Sequence, residues 1–182
     1  MKIRNYNEID VLPYSLVIMD LDETLIHFDG MYDKWWEDNL KYSNHIEVYR
    51  RWLQLISFNI PIMLDQYEFD CLLRRIEDSN SRLVILSTRS SNLCEITLQQ
   101  LVYCNIILPL DDIYFSNKKG RMAHSIKRKY IYDYLIFVDS NRSNLNDVKI
   151  WIPDAICYHL KHNNINKKLQ YIHVQDCVHE SN

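Results

Sequence analysis

The stretch Ser15-Leu16-Val17-Ile18-Met19-Asp20-Leu21-Asp22-Glu23-Thr24-Leu25-Ile26 decides the fold. Leu16 to Met19 is apolar without alternation, which suits a strand buried on both faces. The run ends in an acid, and a second acid follows two residues on. In an extended chain this spacing puts Asp20 and Asp22 on the same side. Two carboxylates so placed can divide labour. One ionised Asp can attack phosphorus and hold Mg²⁺, while the other gives a proton to the leaving oxygen. Hard oxygen ligands suit Mg²⁺, which takes few protein carboxylates and keeps substrate phosphate and water. Asp-x-Asp alone also punctuates strand ends and serves metal-dependent glycosyltransferases. The apolar run followed by Asp-x-Asp-x-Thr-Leu is much more specific.

Outward from this stretch the pattern repeats. Arg82-Leu83-Val84-Ile85-Leu86 ends in Ser87, and Tyr134-Leu135-Ile136-Phe137-Val138 ends in Asp139. A shorter run, Ala155-Ile156-Cys157-Tyr158, follows Pro153. Three strands that each end in a small polar or acidic residue describe a parallel sheet with its chemistry at the carboxyl edge. Between them apolar residues step by three and four: Ile46, Tyr49, Leu53 and Ile56 over residues 44–57, and Phe69, Leu72, Leu73 and Ile76 over 65–78. Leu93, Thr97 and Leu101 step by four, and residues 120–130 and 143–150 complete the set. Strands alternating with helices predict an α/β, three-layer, Rossmann-like architecture. Residues 27–81, about 55 in number, are too many for a crossover that needs little more than 12. They hold Trp35, Trp36 and Trp52 and read as a small helical cap inserted after the first strand. The core is then 1–26 and 82–182. The polar tail, residues 161–182, carries no functional reading.

The chain has 182 residues, 47% hydrophobic and 25% charged, with a net charge of -3. This is one globular domain with room for an insertion, and not a disordered or fibrous chain. The mild negative charge argues against a dedicated nucleic-acid binder. The five cysteines (Cys71, Cys94, Cys104, Cys157, Cys177) have no CxxC spacing, which points away from zinc and toward a reducing compartment. No apolar run reads as a secretory signal or approaches membrane-spanning length, so a cytoplasmic protein is expected. Only two glycines occur, Gly30 and Gly120.

With these residues in place, the sequence resembles the haloacid dehalogenase-like superfamily of aspartate-dependent phosphatases. Four motifs fall in the family order. They are Asp20, Asp22 and Thr24; Ser87 closing Val-Ile-Leu-Ser; Lys119 in Asn-Lys-Lys-Gly; and Asp139 in Ile-Phe-Val-Asp. The resemblance covers roughly residues 15–160 and is closest to a poorly characterised bacterial branch with a Trp-containing cap and a Lys-Gly third motif. It implies Asp20 as nucleophile and metal ligand, and Asp22 as general acid and then base, with its backbone carbonyl on the metal. Ser87 would bind a phosphoryl oxygen, Lys119 would neutralise charge between the phosphoryl group and Asp20, and Asp139 would be the second metal carboxylate. The implied cofactor is Mg²⁺ and the implied substrate a phosphorylated small molecule. Lys118 competes with Lys119; Gly120 favours Lys119 by allowing a close backbone turn. Many relatives carry a second acid where this chain has Ser140, which puts metal affinity in question. Asn144 or Asp147 could help from the next turn.

Asp29-Gly30 has turn chemistry and falls where the family places a flap. Trp35 and Trp36 read as cap core before they read as a stacking platform for a substrate ring. Lys118, Lys119, Arg121, Lys127, Arg128 and Lys129 form a basic run with His124. It reads first as a solvated helix face and second as a guide for a polyanionic substrate such as a nucleic-acid end. The expected activity is Mg²⁺-dependent phosphomonoester hydrolysis through an aspartyl-phosphate on Asp20. The alternatives are an inactive binding or scaffold protein of this fold, a phosphotransferase, and a nucleic-acid-end phosphatase.

Overall fold

A computed structural model describes residues 1–31 and 35–161. Its strands are β1 (Lys2–Ile3), β2 (Ser15–Met19), β3 (Ile26–His27), β4 (Ile62–Met63), β5 (Arg82–Ser87), β6 (Ile113–Phe115), β7 (Tyr134–Asp139) and β8 (Ile156–Leu160). Its α-helices are α1 (Trp35–Leu40), α2 (His45–Phe58), α3 (Gln66–Asp78), α4 (Cys94–Tyr103), α5 (Lys119–Lys129) and α6 (Arg142–Trp151). Six strands form one parallel sheet in the order β1-β8-β7-β2-β5-β6. The three apolar runs ending at Met19, Ser87 and Asp139 are its adjacent central strands. Val17 pairs with Leu83 on one side and Ile136 on the other.

Alternate side chains of these strands feed two cores, as the period of two requires. Val17, Met19, Leu83, Ile85, Ile136 and Val138 meet Phe69, Leu72 and Ile76 of α3, Leu101 of α4, and Val48, Trp52 and Ile56 of α2. Leu16, Ile18, Val84, Leu86, Leu135 and Phe137 meet Ala123 and Ile126 of α5 and Leu145 and Val148 of α6. The result is the expected three-layer α/β architecture. Helices α2 and α3 start at side-chain caps. Asn44 accepts from the amide of Glu47 at 3.0 Å, and Asp65 from that of Glu68 at 3.0 Å.

Residues between the first and second central strands do two different things. β3 and β4 pair antiparallel, Ile26 with Met63 and His27 with Ile62, so the chain leaves and re-enters at one place. Between them lie the Asp29-Gly30 turn, with Gly30 at φ +82°, and helices α1 and α2. α3 follows the pair, packs on the sheet beside β5, and leads into it. Trp35 is buried in this apolar core, whereas Trp36 is 37% exposed. Cys71, Cys94, Cys104 and Cys157 are free thiols; Cys177 and the rest of 162–182 lie outside the described residues. Among the described residues no helix is long and apolar enough to cross a membrane.

Gly120 serves a purpose other than the expected turn. It sits in the first turn of α5, where a Cβ would lie 2.3 Å from the Asp147 carbonyl oxygen and 2.6 Å from Trp151 Cδ1 of α6. Its amide also donates to Asp147 Oδ2 at 2.7 Å. The glycine lets α5 approach α6 closely. Gly120→Ala would gain about 1 kcal/mol of helix propensity. The clash with backbone outweighs that gain, so a net loss of about 1–3 kcal/mol is expected in urea denaturation.

Candidate active site

In the sheet order, the chain runs from β2 toward β5 and β6 on one side, then crosses to β7 and β8 on the other. Open α/β sheets bind ligands at the carboxyl ends of strands where that reversal occurs. Asp20 stands there, directly after β2, with its amide donating to the Val138 carbonyl of β7 at 2.9 Å. Leu21 O then accepts from the amides of Thr24, Leu25 and Ile26. This tight turn puts Glu23 at φ +58° and returns Thr24 toward the strand end. Thr24 Oγ1 donates to Asp20 Oδ2 at 3.3 Å and accepts from the Ser140 amide at 3.0 Å. The threonine of the first motif thus ties the first acid to the loop after β7.

Of the two candidate lysines, Lys119 is the one the structure brings to Asp20. Its side chain is fully buried, whereas Lys118 is an exposed residue at the helix N-cap. Lys119 Nζ donates to Asp20 Oδ1 at 2.5 Å and to the Leu86 carbonyl, and lies 3.9 Å from Asp139 Oδ2. Asp139 accepts from the Asn141 amide at 2.7 Å and from Asn144 Nδ2 at 2.9 Å. Of the two residues that could compensate for Ser140, Asn144 therefore orients Asp139, while Asp147 is spent on the Gly120 amide. Ser87 is buried at the end of β5, two residues beyond the partner of Met19. Its Oγ accepts from the Arg89 amide at 3.2 Å.

Arg89 was not among the sequence candidates. It is 1% exposed and holds Asp22 with a two-pronged pair, Nε to Oδ2 at 2.9 Å and Nη2 to Oδ1 at 2.6 Å. Arginine is seldom buried without a partner, so composition alone places it on the surface. The signal that could have found it is charge balance. Three acids converge on the sheet edge against one lysine, and Arg89 stands two residues past a strand end there.

Electrostatics single out the same cluster. Burial pushes the Asp20 carboxyl up from its ordinary value, opposed by the Lys119 charge and hydrogen bond. Burial and then the Asp20 charge push Asp139 up to about 7, against Lys119 and the Asn141 and Asn144 hydrogen bonds. Two buried carboxylates thus face one ammonium, a net negative pocket that a cation would relieve. Among the described residues no group of three or more His, Cys, Asp or Glu side chains is gathered for a metal. Mg²⁺ does not need one. Two carboxylates, a carbonyl oxygen and water suffice, so the donor set fits it.

Asp20 and Asp22 open onto a cleft also lined by Trp36, Trp52, Thr88 and Ser140. The described lining includes none of residues 118–129. In that run Lys119 points inward, Lys127 pairs with Asp154 at 2.9 Å, and Lys129 donates to Tyr114 at 2.9 Å.

No family model matches the chain, and no curated protein does. Solved structures do. The class C acid phosphatase from Bacillus anthracis is 12% identical over 94% of this chain and 82% of that chain, with a TM-score of 0.52. A HAD-family enzyme from Bacteroides thetaiotaomicron, solved as a magnesium complex, is 12% identical over 86% and 98%, with a TM-score of 0.52. A chain of the Pnkp1/Rnl/Hen1 complex is 16% identical over 90% of this chain, with a TM-score of 0.50. This chain spans 51% of that one, and 23% of DsGPDH of Dunaliella salina. Identities this low speak for architecture. The parallel six-stranded sheet flanked by helices gives this chain an α/β fold similar to that of these HAD enzymes.

Proposed function

We propose that the protein is a Mg²⁺-dependent phosphomonoester hydrolase that works through an aspartyl-phosphate on Asp20. The observation that carries this reading is the convergence of Asp20, Lys119 and Asp139 from three different elements at the crossover of the sheet. A strand-end acid needs no buried lysine, and a stabilising core needs no buried acid pair. Asp20 and Asp139, with the Asp22 carbonyl, would hold Mg²⁺, which supplies charge neutralisation for the phosphoryl oxygens. Lys119 fixes one Asp20 oxygen and adds a positive charge beside the attack path. Ser87 and the neighbouring amides offer donors to phosphoryl oxygens.

In the first step an Asp20 oxygen attacks phosphorus. The bond to the leaving oxygen breaks, and Asp22 gives that oxygen a proton. In the second step Asp22 takes a proton from water as it attacks the aspartyl-phosphate, freeing phosphate and restoring Asp20. The insertion, bounded by the β3–β4 pair, contributes Trp36 and Trp52 to the lining of the cleft. We assign it the choice of substrate, and assign α3 to the core.

The titration of the cluster makes a prediction. Between about pH 7 and the ordinary carboxylate range near 4, the folded metal-free protein takes up a proton that the unfolded chain does not. Stability from this site therefore rises as pH falls through that window. Mg²⁺ requires the ionised pair, so its stabilising effect should be larger at pH 8 than at pH 6. Asp139→Asn should raise the metal-free Tm at pH 8 by several degrees and erase the Mg²⁺ response. Thermal melts with and without Mg²⁺ check both.

A further inference from the structure

We infer that Arg89 is the positioning residue for Asp22, and that Gln100 couples this hold to helix α2 of the insertion. The inference rests on the reading of Asp22 as the acid and base of the reaction.

A buried guanidinium must be satisfied, and this one is bonded on two sides. Nε and Nη2 grip both oxygens of Asp22. On the other side Nη1 donates to Thr97 Oγ1 at 3.0 Å and Gln100 Oε1 at 2.6 Å, both on α4. The planar fork therefore cannot rotate without losing bonds at each end. Gln100 is itself buried, and its Nε2 donates to the Ile56 carbonyl of α2 at 2.5 Å. A continuous path runs from the insertion, through Gln100 and Arg89, to Asp22. Phe28, where the chain enters the insertion, lies under the guanidinium with its ring centre 5.7 Å away.

The arrangement is one-sided. The Arg89 side chain has no exposure, whereas Asp22 is 16% exposed and lines the cleft. A carboxylate offers four lone-pair positions, and the fork takes two. The described residues place no other hydrogen bond on it, so the remaining two are free for substrate and water. A merely structural ion pair gains nothing from such exposure, and an apolar pair would serve a core as well. A proton donor, by contrast, must be held in place against the leaving oxygen.

The test exploits leaving-group chemistry. An alkyl phosphate needs a proton on its leaving oxygen, and 4-nitrophenyl phosphate does not. kcat/KM covers only the steps through transfer to Asp20, so it isolates the acid role. For Arg89→Lys with Mg²⁺ we expect kcat/KM to fall about 100-fold or more on an alkyl phosphate. On 4-nitrophenyl phosphate the fall should be about 5-fold or less, with kcat lower on both and a burst of nitrophenolate, because water activation also needs Asp22. Arg89→Lys in an Asp22→Asn background should add little. Equal losses of kcat/KM on the two substrates, or none, would overturn the inference and leave the phosphatase reading intact. A wild type that turns over neither substrate overturns both. If Arg89→Lys does not fold, Gln100→Met carries the test, since it leaves the Arg89–Asp22 pair in place. A selective loss of about 5-fold on the alkyl phosphate is then expected, and an equal loss on both, or none, is contrary.

Discussion

Asp20→Asn is expected to lower Mg²⁺-dependent phosphomonoester turnover by about 10⁴-fold or more, to the limit of detection. Asparagine keeps the shape of the side chain; its one oxygen can still accept from Lys119, and its amide nitrogen, placed where Oδ2 stood, can donate to the Thr24 hydroxyl once that hydroxyl turns. It cannot act as the nucleophile, because an amide oxygen carries no full negative charge. The fold should not suffer. Asp20 is a buried carboxylate whose pKa is raised mainly by its burial, so removing its charge relieves a cost. An unchanged or higher Tm together with lost turnover separates chemistry from folding. Wild-type-like turnover in this variant would remove Asp20 from the mechanism.

Lys119→Met should be damaging in both respects. The ammonium is the shared partner of Asp20, Asp139 and the Leu86 carbonyl, and the side chain is wholly buried. Without it two carboxylates face each other in a low-dielectric site. Breaking a buried ion pair by removing one partner costs about 3–5 kcal/mol. Urea denaturation at pH 8 should show that loss. Adding Asp139→Asn should recover much of it, because the two substitutions share one electrostatic contact and are not additive. Turnover should not return in the double variant. Recovery of neither, or full additivity, would mean that Lys119 and Asp139 are energetically independent.

The parts of this molecule that were legible from sequence are those where one residue pattern has one physical meaning. Unbroken apolar runs ending at Met19, Ser87 and Asp139 suit doubly covered strands, and they are the three central ones. Lys119 was legible through Gly120, although for the wrong reason. The glycine admits α6 and does not make a turn. The edge strands were not legible. Lys2–Ile3 is too short to show a period, and it exists because Lys2 and Ile3 find His159 and Leu160. That same pairing carries β8 two residues past the expected Tyr158. The β3–β4 pair is equally short and is set by chain entry and exit. At the site, the acids were visible as strand punctuation, but Arg89 was not. Its burial follows from Asp22, Thr97 and Gln100, which are distant or unremarkable in sequence.

The most direct measurement is to locate the phosphoryl group on the protein. The enzyme is mixed with Mg²⁺ and 4-nitrophenyl phosphate, quenched in acid, and reduced with borohydride, which converts an aspartyl-phosphate to homoserine. Peptide mass spectrometry then reads the site. The expected result is homoserine at position 20, dependent on Mg²⁺ and absent from Asp20→Asn. Turnover with Asp20 unmodified, or with the mark on any other residue, would contradict a covalent intermediate at the carboxyl end of β2.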